Sequence, residues 1–114
     1  MSNTSQQYDH AASICRDVYV KKLKDYGASW RILRQTSVTD QIFIKANRIR
    51  SIETKGVNKV GDDIRGELMA IVNYGIIGLI QIELGETTCD DIDSERAIDL
   101  YDKYIQIAKD LMMA

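Results

Sequence analysis

Proline is absent from all 114 residues of this chain, whereas average usage would place about five or six in a chain of this length. Proline disrupts a helix interior because it has no backbone N–H to donate and its ring clashes with the preceding turn. No stretch shows the period-two alternation between hairpin turns that is typical of strands. The sequence therefore predicts an all-α protein.

Apolar residues recur at three- and four-residue steps in four segments. This spacing predicts helices at about residues 4–26, 38–54, 62–84 and 94–112. The connections between them are short, which is typical of an up-down bundle. We therefore expect residues 1–114 to form a single four-helix domain.

Residues at the segment ends predict where the helices begin and end. Gly27 and Gly56 follow the first two segments and are expected to terminate them. The second helix is expected to begin at Ser37 or Thr39, and the fourth at Asp93 or Ser94, since these side chains cap helix N-termini.

The third segment is apolar on almost all sides, as in the central helix of a bundle. Gly75 and Gly78 lie inside it, where glycine costs about 1 kcal/mol relative to alanine. We expect these glycines to let another helix approach closely. A helix this apolar also favours a homo-oligomer.

Composition excludes several classes of protein. A net charge of −2 argues against general nucleic-acid or membrane-surface binding. The apolar run 68–82 is interrupted by Asn73 and is too short to span a membrane. The N-terminus lacks the pattern of a secretion signal, and Cys15 and Cys89 are too few for a disulfide framework or zinc site. A cytoplasmic protein without membrane contact is expected.

Two segments resemble each other within the chain. "YDHAASICRDV" at 8–18 matches "YDKYIQIAKDL" at 101–111 at a constant offset of 93 residues. Four positions are identical, among them Asp9 with Asp102, and Arg16 aligns with Lys109. The match arises either by chance between two helices or from a duplication whose second copy begins near residue 101.

Positive charge and aromatic rings gather in "KKLKDYGASWRILR" at 21–34. Lysine and arginine in such a cluster suit a phosphate group, and the rings of Tyr26 and Trp30 can stack on a base. The cations of the cluster are Lys21, Lys24, Arg31 and Arg34, and Lys45 and Arg48 on the second helix are expected to face them. The alternative is a solvated helix face, with Trp30 anchoring the loop in the core.

The third helix carries polar residues that are candidates for metal binding or for a ligand site. Asp63 and Glu67 are four residues apart, and a carboxylate entering a bundle core is a candidate Mg²⁺ ligand. The alternative is that acids in a first helical turn complement the helix dipole. Asn73 must find hydrogen-bond partners if buried, so it either fixes helix register or faces a site. With one histidine, Ser–His or Cys–His catalysis is not expected.

The motif K-x-x-DYG-x-x-W at Lys22–Trp30, together with "TDQIFIKANRIRSIETKG" and "IVNYGIIGLIQIELG", resembles the nucleotide modification associated domain 1 family over roughly residues 8–112. Some members look like tandem duplications with a second DYG-x-x-W segment. The resemblance thus implies that the internal match is a true repeat.

That family is in turn similar to the all-α nucleoside triphosphate pyrophosphatases of the MazG type, which hold Mg²⁺ with E-x-x-E and E-x-x-D pairs. Here the second helix offers only Glu53, and the residue three positions after Glu67 is Ala70. The resemblance implies nucleotide binding, while hydrolysis of a nucleoside triphosphate would in addition need Mg²⁺, for which Asp25 and Glu67 are the candidate ligands. The residues expected to bind nucleotide are Lys21, Lys24, Tyr26, Gly27, Trp30, Arg31, Lys45, Arg48 and Asn73. The alternative function is a non-catalytic helical oligomerisation module.

Overall fold

The computed structural model describes residues 3–55 and 61–114, without the side chains of 61–63. Its elements are α1 (Asn3–Tyr26), α2 (Gln35–Lys55), α3 (Gly61–Leu84) and α4 (Ser94–Met113), with a 3₁₀ turn at Ser29–Ile32 between α1 and α2. The described residues contain these helices and no strand. The all-α four-helix bundle is therefore confirmed.

Two of the predicted helix ends are confirmed. Gly27 adopts a φ of +65° and donates its N–H to the carbonyl of Leu23 at 2.8 Å, which ends α1. Only glycine adopts this left-handed conformation without steric cost. Asp93 caps α4, since its Oδ1 accepts from the N–H of Arg96 at 2.8 Å. The predicted end at Gly56 lies outside the described residues.

The predicted start of α2 is wrong, because the helix begins at Gln35 and not near residue 38. The N–H of Val38 already donates to the carbonyl of Arg34 at 3.1 Å. Thr39 lies inside the helix, where its hydroxyl donates to the carbonyl of Gln35 at 3.1 Å. The side chain of Gln35 donates to the carbonyl of Gly78 on α3 at 3.2 Å, and this tertiary bond stabilises the earlier start.

The core lies around α3. Ile76, Ile77 and Ile80 of α3 are buried together with Tyr19 of α1 and Tyr101 of α4. α2 packs mainly along α3.

Gly75 and Gly78 of α3 differ in their surroundings. A Cβ at Gly78 would lie 3.4 Å from Cγ1 of Val38, which is an ordinary van der Waals contact, so α2 packs against this position but its approach does not require a glycine. At Gly75 a Cβ would have no such neighbour within 4 Å.

Helices α1 and α4 run antiparallel and are joined by two ion pairs. Arg16 contacts Asp102 at 2.7 Å, and Lys109 contacts Asp9 at 2.8 Å. These are matched positions of the internal repeat, and the offset of 93 residues converts one pair into the other. The duplication itself stays a prediction.

Residues Ile64–Leu84 of α3 are long and apolar enough to cross a membrane by length and composition alone. This is weak evidence, because core helices of bundles meet the same test. Asn73 and Gln81 are buried within the segment and hydrogen-bond to α1, α4 and the 3₁₀ turn. These bonds are those of a core helix.

Candidate functional site

A cavity of about 500 Å³ lies between α1, the 3₁₀ turn and α3, with one lysine from α2. From α1 the lining comes from one helical face: Val18, Tyr19, Lys22, Leu23 and Tyr26. These positions share a face because three- and four-residue steps return a side chain to the same side of a helix. The site is therefore bounded by the same motif segment that stood out in the sequence.

Aromatic rings form the wall at the end of α1. Tyr26 is 72% exposed, and Trp30 follows it after the left-handed turn at Gly27; all three line the cavity. Trp30 also packs against Tyr19, with ring centroids 6.2 Å apart. It thus anchors the loop and lines the cavity at once, so the two interpretations of Trp30 are compatible.

Glu67 of α3 forms the charged wall. Its Oε1 lies 3.1 Å from Nη1 of Arg48 and 3.8 Å from Nζ of Lys45, both on α2. Its Oε2 is buried and has no hydrogen-bond partner among the described residues. A buried polar atom without a partner costs about 1–3 kcal/mol. Glu67 therefore lines the cavity and carries one acceptor oxygen that no described residue satisfies.

Asn73 lines the same cavity, but its amide is already bonded within the protein. Its Nδ2 donates to the carbonyl of Cys15 at 3.1 Å, and its Oδ1 accepts from the hydroxyl of Tyr101 at 2.6 Å. Burial raises the pKa of the Tyr101 phenol, which keeps this donor protonated. The bonds join α3 to α1 and α4, so Asn73 fixes the register of three helices.

Arg31 is only 3% exposed and faces the core instead of the cavity. Its Nε contacts Oδ1 of Asp91 at 2.8 Å, and its Nη1 donates to Oε1 of Gln81 at 2.8 Å and to the carbonyl of Gly85 at 2.6 Å. Gln81 in turn donates to the carbonyl of Leu33 at 2.7 Å. These contacts hold the corner between α1 and α2, and they argue against the predicted phosphate contact of Arg31.

The position of each lysine around the axis of α1 decides whether it lines the cavity. Lys21 and Lys24 are exposed and do not line the cavity, and the same holds for Asp25. Lys22 does line it, although we did not include it among the predicted ligands. The sequence does place Lys22 on the face of Val18 and Tyr26, because it lies four residues after the first and four before the second.

The described side chains fit Mg²⁺ poorly. They contain no group of three acidic, histidine or cysteine residues that could hold a metal ion. Glu67 is the one described carboxylate that lines the cavity, and two cations already neutralise it. The prediction for Asp63 concerns a side chain outside the described set. We assign no metal to the cavity.

Comparison with known proteins identifies the family of the chain. No curated protein and no solved structure matches the chain significantly. A family profile described as Nucleotide modification associated domain 1 matches residues 22–82, more than half of the chain. The matched segment begins at Lys22 and contains Tyr26, Trp30, Lys45 and Glu67 of the cavity wall. The chain therefore belongs to the Nucleotide modification associated domain 1 family.

Proposed function

We propose that this domain binds a nucleotide in the cavity between α1 and α3. The observation that carries the proposal is Glu67, a buried carboxylate with one unpartnered oxygen at a cavity that also has aromatic and cationic walls. A volume of about 500 Å³ lies within the range of small-molecule sites. The family description points to the same class of ligand.

Each wall suits one part of a nucleotide. The rings of Tyr26 and Trp30 offer faces for the base, since stacking on an aromatic side chain tolerates any base. Oε2 of Glu67 accepts from an N–H of the base or a hydroxyl of the ribose. Lys22 and Lys45 supply ammonium groups for phosphate, and Arg48 stands beside Glu67 with its side chain 58% exposed.

Binding fits these residues better than hydrolysis does. Metal-assisted attack of water on a nucleoside triphosphate needs carboxylates that hold the ions, and the described cavity wall offers Glu67 alone. The proposal therefore includes no metal and no hydrolytic step.

The test compares two adjacent lysines. Nucleoside mono-, di- and triphosphates are titrated into the protein by calorimetry and by thermal shift at fixed ionic strength. We expect one class to bind and to raise the melting temperature, because a ligand that binds only the folded state stabilises it. Lys22→Ala should weaken binding about tenfold, equivalent to about 1.4 kcal/mol. The matched control is Lys21→Ala, which removes an exposed lysine outside the cavity and should leave affinity unchanged.

Two results would contradict the proposal. One is the absence of heat and of thermal shift with every nucleotide. The other is an equal loss of affinity in Lys21→Ala and Lys22→Ala, which would indicate general attraction to positive charge instead of a site in the cavity.

A structural role in assembly is the second candidate function. It is favoured by large apolar side chains that α3 leaves exposed although it is the central helix.

A further inference from the structure

The exposed apolar residues of α3 form one line along the helix. Leu68, Val72, Leu79 and Ile82 are between 41% and 69% exposed. Together with Gly75 they follow steps of four, three, four and three residues, which is the a/d spacing of a coiled-coil seam. We call these five residues the α3 seam. A line this narrow has the width that one packed helix covers.

Gly75 lies in the middle of the seam, seven residues from Leu68 and seven from Ile82. A side chain there would have open space, with no neighbouring atom within 4 Å. Glycine inside a helix costs about 1 kcal/mol relative to alanine, and no contact within the described chain uses the space it leaves. A second helix crossing at Gly75 would use it, because a missing side chain lets two backbones approach closely.

The charged residues at the two ends of the seam favour an antiparallel over a parallel orientation of the second helix. Arg65 precedes the seam and Glu86 follows it; both are exposed, and neither forms an ion pair with a described residue. Two seams packed antiparallel about Gly75 bring Arg65 of each copy towards Glu86 of the other. Parallel packing would place like charges together, which is unfavourable.

We propose that a second copy of this chain packs on the α3 seam, antiparallel, with a two-fold axis near Gly75. The seam is self-complementary about that residue in both its apolar positions and its terminal charges, as an isologous interface requires. The cavity wall at Glu67 and Asn73 lies on another face of α3, so the dimer would leave the nucleotide site open.

The first experiment measures mass in solution over a concentration series by analytical ultracentrifugation. We expect a dimer for the natural chain. Leu79→Glu should raise the dimer dissociation constant at least about a hundredfold, because it places a charge within an apolar seam. Leu111→Glu is the matched control, since Leu111 is an exposed leucine at the end of α4, outside the seam. It should leave the constant unchanged. Circular dichroism and melting temperature establish that both variants are folded.

Charge reversal then tests the orientation. Arg65→Glu and Glu86→Arg should each weaken the dimer several-fold, while the double variant should recover most of the affinity. An antiparallel pair alone predicts this recovery between residues that flank opposite ends of the seam. In a background with Cys89→Ser, Gly75→Cys should give a disulfide-linked dimer under mild oxidation, because the two-fold axis brings the new thiols together.

The proposal is overturned by a natural chain that stays monomeric at every concentration, or by equal effects of Leu79→Glu and Leu111→Glu. Flotation of the natural chain with neutral phosphatidylcholine vesicles, abolished by Leu79→Glu, would also overturn it, since the seam would then be a lipid-binding surface. Loss of dimer in a variant that still binds nucleotide separates this proposal from the one for the cavity.

Discussion

Arg31 and Glu67 are both buried charged residues that join two parts of the bundle, but their surroundings differ. Arg31 finds its acceptors within the protein, at Asp91, Gln81 and the end of α3. Glu67 has two cations on one oxygen and nothing described on the other. The first group is saturated and holds the architecture. The second keeps a hydrogen-bonding capacity that no described residue fills.

The largest effect on stability is expected at the corner. Arg31→Ala should lower the free energy of unfolding by about 3 kcal/mol or more, because it leaves Gln81 and the last carbonyls of α3 without their donor. Urea denaturation followed by circular dichroism measures this change. A loss below about 1 kcal/mol would mean that Arg31 does not hold the corner and is free for a ligand.

A smaller effect is expected at Asn73, which lines the cavity and whose amide nitrogen and oxygen each have a partner within the protein. Asn73→Ala should cost about 2 kcal/mol, because the hydroxyl of Tyr101 and the carbonyl of Cys15 both lose a partner. The same denaturation experiment applies, with Tyr101→Phe as the companion variant. Both variants break the same hydrogen bond between Tyr101 and Asn73. The double variant should therefore lose less free energy of unfolding than the sum of the two single losses. Full additivity would contradict the shared bond.

The smallest effect on stability is expected at Glu67. Glu67→Gln should change the free energy of unfolding by less than about 1 kcal/mol, because the lost ion pairs involve cations that remain partly hydrated. Ligand binding should respond more strongly. Affinity for inorganic tripolyphosphate should rise, since Lys45 and Arg48 lose their internal competitor, while affinity for a nucleoside should fall because the acceptor charge is lost.

Calorimetry with both ligands measures the two changes. If Glu67→Gln leaves both affinities unaltered, Glu67 is not part of a ligand site. Glu67 would then have a structural role only, as Arg31 does.

Local signals in the sequence were enough for the helices. The absence of proline, the apolar periodicity and the residues Gly27 and Asp93 predicted the all-α bundle and two helix ends. The start of α2 was missed because its first residue, Gln35, is not a typical capping residue and bonds to a distant acceptor, the carbonyl of Gly78. The 3₁₀ turn after Gly27 was missed for a similar reason, since Gln81 holds its carbonyls from α3.

The site was predictable only in part. Tyr26, Trp30, Lys45 and Glu67 were expected and do line one cavity. Lys21 and Lys24 of α1 were the predicted ligands, whereas the helical face that lines the cavity carries Lys22. The assignment of Arg31 failed because its partners lie 50 and 60 residues further along the chain, at Gln81 and Asp91. A local sequence pattern does not predict contacts between residues so far apart in the chain.

The two ion pairs between α1 and α4 have a consequence for combined mutations. The chain carries within itself the arrangement that symmetric dimers make between subunits, an acid on each helix meeting a cation on the other. Reversing the charge at Asp9 is therefore repaired by reversal at Lys109, its partner in space. Reversal at Asp102, its counterpart in the repeat, instead breaks the second ion pair, with Arg16, in the same way.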